Sequence, residues 1–181
     1  MGGTGSRATR TDEILPGLFL SGVDVALDEI LLRKNHIQAV CICCRPSEGP
    51  DRKDGLPFYR VDVEDSSREP VELFFQEAVE FVSAHRSADE GVLVHCRSGV
   101  SRSATIVLAY LLTEAGMPLL DAFHLVRSKR PVVTPNIGFM RKLIELEISI
   151  SSSQPSLDLR KYADWYTADS HARPAVPDLH L

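Results

Sequence analysis

Three features of the sequence predict an α/β domain with a central mixed, mostly parallel sheet flanked by helices on both faces. β-prone apolar runs alternate with segments of helical periodicity between about Ile14 and Ile150. One of these runs, Gly91 to His95 (GVLVH), reads as a strand covered on both sides. Another segment, Thr105 to Leu112, is apolar all round, as a helix at the centre of a domain must be.

The elements follow in order. Residues 1–11 (MGGTGSRATRT) are Gly-rich and polar and read as a flexible arm. Ile14 to Leu20, broken by Pro16-Gly17, reads as a strand or a turn pair, and Leu27 to Lys34 as a short helix. Ile37 to Cys44 is a strand-length β-prone run, and Phe58 to Val63 is another. Between them Pro46, Gly49, Pro50 and Gly55 mark a loop. Val71, Phe74, Phe75, Ala78, Val79 and Val82 share one helical face. Gly116 closes the central helix, and Leu119, Leu120, Ala122, Phe123 and Val126 pattern the next. Pro135-Asn136 opens a last helix that turns Ile137, Met140, Leu143 and Ile144 inward. The Ser/Pro run from Ser151 to Ser156 reads as a linker, and 151–181 as a disordered or loosely docked tail, with Tyr162, Trp165 and Tyr166 its exceptions. The core domain is therefore set at 12–150.

Composition narrows the function. The 181 residues suit one domain with a real core, and a net charge of −5 gives no field that favours nucleic acid. The longest apolar run, Ala104 to Leu112, is too short to span a membrane. Cys41, Cys43, Cys44 and Cys96 are the four cysteines, three of them crowded into one segment. That spacing is poor for a disulfide framework and suits a reducing compartment, cytoplasm or nucleus.

The chemistry is concentrated in His95-Cys96-Arg97-Ser98-Gly99-Val100-Ser101-Arg102-Ser103, between the buried strand and the apolar helix. A short loop there lies at the carboxyl end of a strand, where open α/β sheets bind ligands. It also opens a helix N-terminus, where free N–H groups and the helix dipole attract an anion. A loop wrapped round one point can aim successive amides at a phosphate. Those amides and Arg102 favour the Cys96 thiolate, the nucleophilic form of a thiol. Arg102 presents a planar fork for two phosphate oxygens, and Gly99 permits a backbone shape closed to other residues. Arg97, Ser98, Val100 and Ser101 complete the substrate cradle. Ser103 is placed to donate to the Cys96 sulfur, and His95 to order the loop. The nucleotide-binding Gly-x4-Gly-Lys pattern is absent.

On these residues the chain resembles the dual-specificity phosphatases of the protein tyrosine phosphatase superfamily, in particular the small atypical members. Ile14-Leu15-Pro16-Gly17-Leu18-Phe19-Leu20-Ser21-Gly22 is similar to the family's first strand, and Arg130-Pro131 through Pro135-Asn136-Ile137-Gly138-Phe139 to its late Arg-Pro…Pro-Asn-x-Gly-Phe element. The resemblance implies a protein tyrosine phosphatase-like fold and hydrolysis of phosphotyrosine and phosphoserine/phosphothreonine through a cysteinyl-phosphate. It implies no metal or cofactor, phosphoprotein substrates and a monomer. It also implies an aspartic acid after the third strand that protonates the leaving oxygen and then activates water. Asp62 and Asp65 are the candidates. Asp62 falls in a Val-Asp-Val alternation, on the outward face of a strand, so Asp65 is preferred. Asn136 is assigned to a hydrogen bond with the phosphate loop, with a helix cap as the alternative.

Two alternatives stand beside this function: a phosphatase of phosphoinositide, RNA 5′-phosphate or sugar phosphate, and a catalytically weak phosphate-binding adaptor. Among weaker signals, Cys44, or failing it Cys43, is offered as a redox partner for Cys96. Met1-Gly2-Gly3-Thr4-Gly5-Ser6 fits the N-myristoylation pattern at Gly2, which would bring peripheral membrane association.

Overall fold

A computed structural model describes residues 11–49, 55–86, 90–168 and 178–180. Gly2 and the rest of the N-terminal arm to Arg10 lie outside the described residues. Five strands form one sheet: β1 (Asp12–Leu15), β2 (Leu18–Ser21), β3 (Ile37–Ile42), β4 (Phe58–Arg60) and β5 (Gly91–His95). The helices are α1 (Val23–Ala26), α2 (Glu29–Lys34), α3 (Phe75–Arg86), α4 (Arg102–Thr113), α5 (Leu119–Lys129), α6 (Ile137–Ser151) and α7 (Leu159–Thr167). A 3-10 turn, Val71–Phe74, leads into α3.

The strand order is β1-β2-β5-β3-β4, with β1 antiparallel to β2 and all other pairs parallel, the mixed, mostly parallel sheet that the sequence predicts. β5 is central and every one of its residues is buried. Side chains alternate across the pleat, so Ala39, Cys41 and Cys43 join the core beneath α3–α6 while Val40, Ile42 and Cys44 join a second core beneath α1 and α2. From Arg102 to Leu112, α4 is buried at every position, as an all-apolar helix should be.

Three boundaries differ from the expectations. The expected Leu27–Lys34 helix starts later, as α2 from Glu29, because Asp28 caps its start by accepting from the N–H groups of Ile30 and Leu31 at 3.0 Å each, and a separate short helix, α1, precedes it. β4 stops at Arg60, so Asp62 follows the strand rather than lying in it, although Val61 and Val63 remain buried with Asp62 exposed between them.

The third difference concerns the tail, expected to be disordered or loosely docked. It is docked between Ser156 and Thr167. Asp158 caps α7 through Arg160 N–H and Lys161 N–H. The buried Glu147 carboxylate accepts from Leu119 N–H, Ser156 N–H and the Ser156 hydroxyl, tying the linker to α5. Leu157, Tyr162, Trp165 and Leu179 are buried. The aromatics at 162, 165 and 166 have the spacing of one helical face, and that face supplies the packing a polar segment otherwise lacks.

Candidate active site

The loop from Cys96 to Ser101 takes its shape from where its carbonyls go. Arg97 O accepts from Val23 N–H at 3.1 Å and Val100 O from Thr134 N–H at 2.9 Å. Ser98 O and Gly99 O accept from Arg130 Nη2 and Nε at 2.9 and 2.7 Å. All four carbonyls are thereby held on the outside of the loop. In a trans peptide the C=O and the next N–H point in opposite directions. The amides of Ser98, Gly99, Val100 and Ser101 are therefore turned inward, and Gly99 N–H donates to Cys96 Sγ at 3.2 Å. Such a nest of amides is an anion site. Ser101 sits at the N-cap of α4 yet makes no side-chain capping bond, so the helix's own first amides add to the site.

Gly99 makes this path possible. Its φ is +66°, and a Cβ there would lie 2.4 Å from Ser21 O and 2.8 Å from Arg130 Nη2.

Cys96 is buried at the end of β5. Ser103, one turn into α4, donates its hydroxyl to Cys96 Sγ at 3.1 Å, the contact expected of it. His95 is buried, with Nδ1 3.3 Å from Cys96 O.

Arg102 is fixed by two partners. Glu48 grips its end, Oε2 accepting from Nη1 at 2.6 Å and Oε1 from Nη2 at 3.1 Å, and Val63 O takes a second bond from Nη1 at 3.2 Å. What is left is the side edge, Nε–H and the second hydrogen of Nη2. Nε is buried with no partner among the described residues. That edge is the two-point fork a phosphate needs. Burial works against the guanidinium's charge, but the bonds to Glu48 and the nearby Cys96, Glu48 and Asp65 charges outweigh it, so its pKa is raised. The same hydrogen bond holds Glu48 below the ordinary carboxylate range. Neither the loop motif nor its spacing pointed to Glu48, a half-buried residue of the Pro/Gly loop.

Asp65 and Asn136 meet over Ser101. The Ser101 hydroxyl donates to Asp65 Oδ1 at 2.6 Å and accepts from Asn136 N–H at 3.0 Å. Asn136 Nδ2 also donates to Asp65 Oδ1 at 2.9 Å, while its Oδ1 caps α6 through Phe139 N–H at 3.0 Å. Asn136 thus fills both roles that the sequence left open. Both bonds to Asp65 fall on Oδ1, and among the described residues Oδ2 takes none. Gly138 lets this loop approach α6, since a Cβ there would meet Ser67 O at 2.2 Å.

Arg130 is the second residue that the motif missed. Besides its two bonds to the loop carbonyls, its Nη1 binds Asp12 Oδ2 at 2.8 Å, with both side chains almost wholly buried. Removing one partner of such a pair leaves an uncompensated buried charge. Asp12→Asn is therefore expected to lower unfolding stability by about 3 kcal/mol. Urea denaturation checks this, and an unchanged midpoint contradicts it.

The cysteines offered as redox partners are both buried. The β3–β5 register pairs Ile42 with His95, so Cys43 comes beside Cys96 and shares its face of the sheet. Cys44 belongs to the opposite core. Burial raises the pKa of both thiols, with Arg102 and Arg60 partly countering it at Cys44.

Residues 18–149 match the sequence model of the dual specificity phosphatase catalytic domain. The chain is 36% identical over 137 residues to dual specificity protein phosphatase Mpk3 of Drosophila melanogaster, covering 75% of this chain and 33% of that protein. It is 39% identical over 140 residues to dual specificity protein phosphatase 1 of Arabidopsis thaliana, covering 76% and 69%. The crystal structure of human DUSP28 superposes with a TM-score of 0.74 at 30% identity, covering 78% of this chain and 95% of that one. A Cys-x5-Arg loop at the mouth of a buried helix, on this sheet and with these matches, places the chain in the dual specificity phosphatase family. It spans only a third of the fly relative's length and about seven tenths of the plant one's.

Proposed function

We propose that the chain is a cysteine-dependent protein phosphatase acting on phosphotyrosine and phosphoserine/phosphothreonine. The observation that carries this reading is the inward-facing nest of four amides around Cys96 Sγ, with the side edge of Arg102 left for two phosphate oxygens.

In the first step the Cys96 thiolate attacks phosphorus and the P–O bond to the side chain breaks, while Asp65 Oδ2 gives its proton to the leaving oxygen. In the second, water attacks the cysteinyl-phosphate and gives a proton to Asp65. The P–S bond breaks, inorganic phosphate leaves, and the Ser103 hydroxyl stabilises the departing thiolate. The amides and Arg102 serve the phosphoryl oxygens throughout, and most strongly as charge shifts in the transition state.

Release of inorganic phosphate from phosphotyrosyl and phosphoseryl peptides tests the reading. Binding without release overturns it in favour of an adaptor. The acid is tested by Asp65→Asn. It should slow an aryl phosphate with a poor leaving group by about 100-fold and an activated ester far less, because only the poor leaving group needs the proton. Asp62→Asn, at an exposed position outside the site, should leave both rates unchanged. The reverse pattern would move the acid to Asp62.

A further inference from the structure

The turn between α5 and α6 is gripped from both sides. On one side it holds the phosphate loop, through Thr134 N–H to Val100 O and Asn136 N–H to the Ser101 hydroxyl. On the other it is held by residues that lean on the tail helix. The Tyr162 hydroxyl donates to Pro135 O, and Arg127 Nη1 donates to Val133 O while its guanidinium lies 4.8 Å from the Trp165 ring centroid. Pro135 C=O and Asn136 N–H belong to one peptide plane. A single run of contacts therefore leads from the tail into the site: Tyr162 hydroxyl, the Pro135–Asn136 peptide, the Ser101 hydroxyl, Asp65 Oδ1. The side chain of Asn136 closes a second bond onto the same oxygen.

The family's sequence model ends at residue 149, before this helix begins. The catalytic motif thus does not account for Tyr162, yet it is fully buried and packed edge-on to Phe123, with centroids 5.7 Å apart.

We propose that Tyr162 is a positioning residue for the acid: from α7 it fixes the Pro135–Asn136 peptide, and through that peptide the Ser101 and Asn136 groups that aim Asp65. This inference rests on the reading of Asp65 as the proton donor. Its physical content is orientation. A carboxyl held by two bonds on Oδ1 presents Oδ2 in one direction, and loosening the peptide that carries one donor and anchors the other spreads that direction. The Cys96 sulfur is held by other groups, Gly99 N–H and the Ser103 hydroxyl, and the loop keeps its Arg130 and Val23 anchors, so the effect should follow mainly the demand for a proton.

Tyr162→Phe removes one hydroxyl and keeps the ring in its packing. The experiment measures kcat of the full chain on an activated aryl phosphate and on phenyl phosphate, in the parent and in an Asp65→Asn background. Expected is a fall of roughly tenfold on phenyl phosphate, less than about twofold on the activated ester, and no further loss when Asp65 is already Asn. Equal losses on both esters, or the same loss in the Asp65→Asn background, would show a merely structural role and overturn the proposal. An unchanged rate on both esters overturns it as well. The unfolding midpoint, measured on the same samples, separates a global weakening from misplacement of the acid. Failure of the underlying reading is seen apart from all this: if Asp65→Asn alone slows both esters equally, Asp65 is not the donor and this inference falls with it.

Discussion

Cys96→Ser protein is expected to bind inorganic phosphate with nearly the parent affinity and to hydrolyse no ester. The two halves of this result have separate causes. Affinity comes from the four inward amides, whose carbonyls are held outward by Val23, Arg130 and Thr134, and from the side edge of Arg102. None of these depends on the atom at position 96. Turnover cannot proceed without that atom as the nucleophile. A serine hydroxyl is far too weak an acid to supply an alkoxide unaided, and among the described residues the hydrogen-bond partners of the Cys96 sulfur, Gly99 N–H and the Ser103 hydroxyl, are donors and not the base that serine nucleophiles need. A fall in kcat of at least about 10⁴-fold follows. Phosphate titration by calorimetry and a phosphate-release assay read the two halves independently. A serine variant with substantial turnover would remove Cys96 from the mechanism.

Arg102→Lys should lower kcat by about 10² to 10³-fold, with a smaller rise in KM. The guanidinium satisfies Glu48 through both Nη atoms and Val63 through one of them, and still has an edge for phosphate. A lysine has three donors on a single atom and cannot face both ways. It either stays with Glu48 and abandons the phosphate or turns to the phosphate and leaves Glu48 unpaired. The charge is kept and the geometry lost, so ground-state binding suffers less than the transition state. Assay pH matters here. Glu48 has a depressed pKa, so the pair's contribution is fully present above the ordinary carboxylate range and is lost only as pH falls through the Glu48 pKa. Kinetics near neutral pH therefore compare the two side chains with Glu48 ionised. Retention of near-parent kcat by the lysine variant would contradict the fork.

The grouping of Cys96, Gly99, Arg102 and Ser103 was legible because it is local: one strand end, one loop and one helix start, contiguous in sequence. Asp65 and Asn136 needed the resemblance, since 71 residues separate them and nothing in either segment alone shows that they meet. Glu48 and Arg130 were not legible as site residues. Arg130 works through backbone carbonyls, which leave no pattern in side-chain types, and through Asp12, 118 residues away. Glu48 lies in a loop rich in proline and glycine, where a carboxylate ordinarily reads as solvated. Only the fold brings it to Arg102, 54 residues on.

The sheet was legible because two-sided burial of parallel strands produces continuous apolar runs. The tail was not. Its apolar residues are few, and the face made by Tyr162, Trp165 and Tyr166 gains meaning only once Phe123 and Arg127 on α5 are there to receive it. The linker is held by Glu147, a charged residue that becomes buried by accepting three hydrogen bonds.

The central claim is that phosphate passes through the Cys96 sulfur. The most direct measurement is rapid acid quench during turnover of a phosphotyrosyl and a phosphoseryl peptide, followed by mass spectrometry of the digested protein. The expected result with both substrates is one phosphoryl group on the Cys96 peptide, formed in a burst approaching one per molecule and absent from the Cys96→Ser variant. Steady release of phosphate with no burst and no phosphorylated Cys96 peptide would contradict the account.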